Sequence, residues 1–214
     1  MRFLITAGPT REPIDPVRYL SNRSSGKMGY AIAQAAIEAG HEVGLISGPV
    51  FLDSPPAAKL IFVSTSDEMF DAVQQNIGDC DVLVMSAAVA DYKPAHVSPE
   101  KIKKTGATRS LELTPTRDIL ASLPSDRKFL AVGFAAETNN VEANAFKKLR
   151  EKNCDVIVAN DARIAMESDE NEVTILFGDG EKKKIPRASK KIIARELVKI
   201  FENVREKGLT KKIR

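Results

Sequence analysis

Residues 5–29, ITAGPTREPIDPVRYLSNRSSGKMG, decide the fold. A short apolar strand, Arg2 to Thr6, runs into a long polar loop holding Pro9, Pro13 and Pro16, the run Ser21-Asn22-Arg23-Ser24-Ser25, and Gly26. A helix of small apolar residues follows: Met28, Ala31, Ile32, Ala35, Ala36 and Ala39. A strand that feeds a helix through such a loop leaves backbone N–H groups free at the helix N-terminus, which is an anion site. Connections of this kind usually span about 2–6 residues. This one is several times longer, and a helix cap alone needs only one Ser or Asn. Ser24 and Ser25 suit both the cap and an anion.

Two familiar nucleotide motifs are absent. A P-loop needs Gly five positions before its Gly-Lys and Ser or Thr after the Lys; here those places hold Ser21 and Met28. Gly26 and Gly29 do not make GxGxxG, so a Rossmann-type NAD(P)-binding oxidoreductase, the competing reading, lacks its fingerprint. It also lacks a Tyr-xxx-Lys pair, since His96 follows Tyr92 and Gln34 follows Tyr30 at that spacing.

The chain has 214 residues, enough for one α/β domain with a buried core. Its formal charge of +3 and lack of Trp point away from a nucleic-acid binder, the third reading. Lys182-Lys183-Lys184, Lys190-Lys191 and the Lys211–Arg214 tail read as solvated surface. No run is apolar enough to span a membrane, and Met1 leads straight into a strand. Cys80 and Cys154 form no CxxC and suit a reducing cytosol; with His41 and His96 far apart, no zinc set assembles.

Further strands are expected at Glu42–Ser47, Leu60–Val63, Asp81–Ser86, Lys128–Phe134 and Asp155–Ala159. Helices are expected after Thr65 (capping box with Glu68), from Arg117 to Leu123 after a Thr116 cap, over Val141–Lys152, and at the end to about Lys207. Glu172–Phe177 and Lys182–Ile185 flank Gly178-Asp179-Gly180 as a hairpin. The alternation predicts an α/β, Rossmann-like, mostly parallel sheet with helices on both faces, plus a C-terminal β-hairpin and helix. One domain, 1–214, is expected, with Pro94–Leu113 as a mobile flap and 171–186 as a hairpin suited to dimerisation. Polar tails gather at the strand ends: Ala7–Gly26, Ser47-Gly48, Ser86–Tyr92, Ala135–Thr138 and Asn160-Asp161.

SNRSSGKMG (21–29), SAAVADYKP (86–94), EKIKK (100–104), GFAAETNN (133–140) and VANDA (158–162) stand in this order. Together they closely resemble the phosphopantothenoylcysteine synthetase family over nearly the whole chain. The resemblance implies CTP- or ATP-driven joining of cysteine to 4'-phosphopantothenate with Mg, CTP being usual in bacterial members. It implies a homodimer in the cytoplasm, and a decarboxylase, separate or fused, as functional partner. That flavin domain is not in this sequence, so no FMN is expected. By the same resemblance Asn22 contacts the reacting carboxyl, and Lys101 closes over the activated intermediate with Lys103 and Lys104 in support. Ser24, Ser25, Gly26, Lys27 and Met28 hold the triphosphate. Ala88 and Asp91 lie by the nucleotide, with Asp91 near the ribose or metal. Phe134 and Ala135, with Ala136 and Glu137, form the base edge. Lys147 and Lys148 hold nucleotide phosphate, and Asn160, with Asp161, touches substrate. The cysteine subsite is unmarked.

Overall fold

The structure, a computed structural model, describes residues 1–137, 141–161 and 168–208. Thr138, Asn139 and Asn140 of the fourth motif, Ala162 of the fifth and the Lys211–Arg214 tail lie outside the described residues, as do the side chains of Glu137 and Asp161.

Twelve strands and four helices are described. The strands are β1 (Arg2–Ala7), β2 (Arg11–Pro13), β3 (Tyr19–Ser21), β4 (Glu42–Ser47), β5 (Lys59–Phe62), β6 (Val82–Met85), β7 (Tyr92–Pro94), β8 (Leu113–Pro115), β9 (Leu130–Glu137), β10 (Val156–Asp161), β11 (Glu170–Phe177) and β12 (Lys182–Ser189). The helices are α1 (Lys27–Glu38), α2 (Ser66–Asn76), α3 (Val141–Glu151) and α4 (Lys190–Glu206). Eight strands form one sheet in the order β12-β11-β10-β9-β6-β1-β4-β5. Its strands β10 through β5 run parallel, and β11 and β12 add antiparallel.

Period-two alternation sorts each central strand between two cores. On β1, Phe3, Ile5 and Ala7 face α1 and α4, whose Ile32, Ala36, Ile193, Leu197 and Phe201 complete one core. Leu4 points to the other face, where Met69 and Val73 of α2 and Ala145 and Leu149 of α3 pack. The α/β architecture with helices on both faces is therefore as expected. Helix α2 starts in the expected capping box of Thr65 and Glu68. Among the described residues, no helix is long and apolar enough to cross a membrane.

Three local readings need correction. The expected helix Arg117–Leu123 is a set of turns. The Thr116 hydroxyl, read as its cap, instead donates to the Ala90 carbonyl at 2.6 Å, while Asp118 Oδ1 accepts from Ala121 N at 3.0 Å. Pro124 cannot continue a helix. The long loop after β1 contains the β2–β3 hairpin. Ser24 and Ser25 do not cap α1: Gly26 is its N-cap, left-handed at φ 75°, with no side-chain cap bond.

The hairpin β11–β12 completes the main sheet, and α4 packs against the same core. The hairpin expected to suit dimerisation is thus an integral part of the main sheet. Its outer strand carries Lys182, Lys183, Lys184 and Pro186, a composition that discourages edge pairing.

Candidate active site

The chain leaves β1 through α1 to β4 on one side, while β6 and β9 lie on the other. A crevice forms outside the carboxyl ends of strands at such a reversal. Here it has a volume of about 620 Å³.

Its floor is stitched by polar groups from β1 and β6. The buried Thr6 accepts from Ala87 N at 3.2 Å, and its carbonyl accepts from the Ser86 hydroxyl at 2.7 Å. Buried Thr10 Oγ1 accepts from Ala90 N at 3.0 Å. Pro9 bridges Ala88, and Ala88 N donates to Gly8 O at 2.8 Å. These bonds fix the segment 86–90 against the loop that leads to Asn22.

Asn22 then crosses between the two. Its amide Nδ2 donates to Ala88 O and to Val89 O, each at 3.1 Å. Both its N–H groups are spent, so the side chain is held in one orientation and presents Oδ1. Beside it, residues 24–29 line the crevice with the first turn of α1. Among the described residues no side chain caps that turn, and it contains no acidic residue, so its N–H groups and the helix dipole face incoming anions. Gly26 suits this bend, since φ +75° disfavours residues with a Cβ.

Cations surround the opening. Lys27 Nζ meets Asp169 at 2.6 Å and holds that carboxyl below its ordinary range. Lys190, nine per cent exposed at the start of α4, has its ammonium pushed down by burial, and Lys27 adds to this. Lys148 Nζ donates to Phe134 O at 2.7 Å. Lys152 pairs with Asp118; burial would raise that carboxyl, but the Lys152 ammonium, the Ala121 N–H and the nearby Lys148 together hold it below its ordinary range. Arg117 stacks over Phe70 at 4.0 Å and pairs with Asp67 and Asp71, joining the crevice wall to α2.

The structure thus brings together Asn22, Ser24, Ser25, Gly26, Lys27, Met28, Ala88, Asp91, Phe134, Lys148 and Asn160. Three expected residues stand elsewhere. The Ala135 side chain is fully buried in the core of α2 and α3, so only its backbone is available to a ligand. Lys147 is 71% exposed and reaches Glu151 at 3.8 Å. Lys101 lies in a separate basic concavity with Arg18, Lys103, Lys104 and Arg109. Of the flap, Ala95 N pairs with Glu112 O and Ser98 N with Ile14 O, while residues 103–112 are exposed.

The sequence reading missed Arg117, Asp118, Lys152, Asn171 and Lys190, which also line the crevice. Lys152 had a signal: it follows Lys148 by four residues, the spacing that shares a helix face. Lys190, expected on solvated surface, is instead a nearly buried crevice residue, because the order of β9 to β12 brings the start of α4 to this place.

Cys80 and Cys154 are buried, and burial pushes both thiols up to about 12. At neutral pH neither supplies a thiolate nucleophile. Among the described residues no group of three or more His, Cys, Asp or Glu could cage a metal. The exposed Asp91 on the crevice wall is one carboxylate, which fits Mg carried mainly by substrate phosphates, since Mg commonly takes only one or two protein carboxylates.

A parallel α/β sheet with the N-terminus of α1 and several lysines at its switch point is an arrangement suited to an anionic ligand. The match is more specific. The family described as the DNA/pantothenate metabolism flavoprotein C-terminal domain matches residues 1–204, and the chain belongs to it. The chain is 45% identical over 209 residues to the coenzyme A biosynthesis bifunctional protein CoaBC of Vibrio vulnificus, covering 94% of this chain and 52% of that protein. Against CoaBC of Bacillus subtilis the identity is 47% over 200 residues, covering 91% and 49%. The chain therefore spans about half the length of the curated relatives it matches. A crystal structure of the C-terminal domain of a CoaBC protein superposes with a TM-score of 0.83 at 47% identity, covering 96% of both chains.

Proposed function

We propose that this chain is a phosphopantothenate–cysteine ligase of coenzyme A biosynthesis, using CTP and an acyl-cytidylate intermediate. The observation that carries this is the clamped Asn22 beside the uncapped start of α1 in one cationic crevice. Kinship with half of the bifunctional CoaBC proteins supports it.

A carboxylate is a poor acyl donor. In the first step an oxygen of the 4'-phosphopantothenate carboxylate attacks the α-phosphorus of CTP, and pyrophosphate leaves. In the second, the cysteine amine attacks the acyl carbon and cytidine monophosphate leaves with that oxygen; the amine loses a proton. Both steps gather charge on phosphate oxygens, which preorganised N–H groups and ammonium ions stabilise. Residues 24–28 hold the triphosphate. Phe134 and the backbone of Ala135 bound the cytosine, and Lys148, set by Phe134 O, faces the nucleotide phosphate. Ala88 and Asp91 border the ribose, and Asn160 the substrate. When bound, Mg neutralises phosphate charge, with Asp91 as its protein ligand. Asn22 orients the reacting carboxyl, and Lys101 closes over the activated intermediate. Residues 103–112, which bury little of their surface, fold over the site while the backbone beside Lys101 keeps its place.

The test is pyrophosphate release with CTP and with ATP, each with 4'-phosphopantothenate and with or without cysteine. CTP is expected to support turnover well above ATP. Equal or greater turnover with ATP contradicts the nucleotide assignment, and none with either contradicts the ligase. Hydrogen exchange of residues 103–112 should be fast in the free protein and slow with CTP and 4'-phosphopantothenate; no change contradicts closure.

The reading extends to a cytoplasmic homodimer whose product a phosphopantothenoylcysteine decarboxylase, fused or separate, consumes. Val17 and Tyr19 of the β2–β3 hairpin and Phe51 expose apolar surface that a partner would cover. Sedimentation equilibrium should give twice the chain mass at micromolar concentration; a monomer throughout contradicts it.

A further inference from the structure

Asp15 is a buried carboxylate outside the crevice, and none of the steps above uses it. Its side chain has no exposed surface. It sits in the turn of the β2–β3 hairpin, seven residues before Asn22, which directly follows β3. Oδ1 accepts from the backbone N–H groups of Val17 at 2.8 Å and Arg18 at 2.9 Å, which closes the turn. Oδ2 accepts the Arg18 fork, Nε at 3.0 Å and Nη2 at 2.5 Å, and also the backbone N–H of Ile102 at 3.1 Å. Arg18 Nη2 in turn donates to the Ile102 carbonyl at 2.6 Å. Ser98 N adds a third tie, to Ile14 O at 3.0 Å.

The two halves of the Asp15 carboxylate therefore have separate tasks. One oxygen builds the turn; the other reaches 87 residues along the chain to grip the flap. Both backbone polar groups of Ile102, the neighbour of Lys101, are held by the Asp15–Arg18 pair. Burial by itself would raise the Asp15 carboxyl; the Arg18 guanidinium and the N–H groups of Val17, Ile102 and Arg18 outweigh it and hold the group well below the usual carboxylate range.

We infer that Asp15 is a positioning residue: through Ile102 it latches the Lys101 segment to the hairpin that carries Asn22, so that the two move as one unit. This rests on the ligase reading for Lys101 and Asn22, but the latch itself is a matter of geometry. It divides the flap at Ile102 into a pinned arm and the exposed stretch 103–112.

Asp15→Asn separates the two tasks. The asparagine Oδ1 still accepts from Val17 and Arg18, so the turn survives. Its Nδ2 is a donor placed against three donors, Arg18 Nε, Arg18 Nη2 and Ile102 N–H, so the latch opens. Amide exchange at Ser98–Ile102 should accelerate in the variant, and kcat should fall about 10- to 100-fold while CTP affinity stays within about twofold, since misplacing a catalytic group by an ångström costs on that order. Unchanged exchange at Ile102, wild-type kcat with an opened arm, or a loss of CTP affinity that matches the loss of kcat would each overturn the inference. In the wild-type protein without ligand, Ile102 N–H should exchange more slowly than residues 103–112; equally fast exchange overturns the latch even if the variant fails to fold. An inactive wild-type protein with slow Ile102 exchange would instead sink the ligase reading and keep the latch.

Discussion

Replacing Asn22 with aspartate will lower turnover about 100- to 1000-fold, the scale seen when one preorganised group of a charge-stabilising site is lost. Asn22 gives both amide hydrogens to the carbonyl oxygens of Ala88 and Val89. A carboxylate has none to give, so it would set an anionic oxygen where those two carbonyl oxygens now accept, and the side chain would swing out of its clamp. The same charge would stand beside a substrate carboxylate and a triphosphate, adding like-charge repulsion. Asn22→Ala removes the clamp without adding charge and should fall less far. Steady-state formation of cytidine monophosphate by the two variants checks this. Equal losses would show that repulsion has no part, and near-wild-type turnover in Asn22→Asp would remove Asn22 from the site.

Gly48→Ala should be the costliest single methyl in the protein. A Cβ there would lie 1.9 Å from Pro9 O and 2.9 Å from Pro9 C. Both are backbone atoms, and Gly48 N is itself bonded to Ala7 O at 2.9 Å. Because Pro9 bridges Ala88, relieving the clash means parting the crevice floor. Overpacking usually costs about 1–3 kcal/mol and more where backbone must shift, so about 3 kcal/mol is expected, a fall of roughly 10 °C in Tm for a chain of this size. Gly40→Ala is the control: φ is +84° with nothing within 4 Å of the added methyl, so only left-handed strain of about 1 kcal/mol is introduced. Thermal unfolding of both variants decides; equal shifts would mean that the Pro9 contact is soft.

Acid should act on stability through Asp15. Its carboxyl is held below the ordinary range, so its contribution is complete above the unfolded value of about 3.9 and fades as pH falls through the folded one. The Tm difference between the wild-type protein and Asp15→Asn should thus be constant from pH 8 to about pH 4.5 and shrink below that. A difference that shrinks between pH 8 and 6 would contradict the assignment.

What the sequence made legible was local. The small-residue face of α1, the apolar run of β6 and the capping box of α2 each follow from spacing within one element. Most of the crevice lay at ends of such elements, so Asn22, Lys27, Asp91 and Asn160 could be placed together before any topology was known. What stayed hidden depended on partners far along the chain. Thr116 looks like a helix cap until the Ala90 carbonyl takes its hydroxyl. Lys147 and Lys148 look equivalent until the helix turns one outward and the other onto Phe134 O. Nothing near Asp15 in the sequence points to Ile102, which only folding brings to it.

The proposed ligase activates the carboxylate as an acyl-cytidylate. The most direct test of that step starts from 4'-phosphopantothenate labelled with ¹⁸O in the carboxyl group, with CTP, Mg and cysteine, and follows the label by mass spectrometry. One ¹⁸O should appear in the phosphate of each cytidine monophosphate released, and none in pyrophosphate. Turnover that leaves cytidine monophosphate unlabelled, or that sends the label to inorganic phosphate, would contradict it.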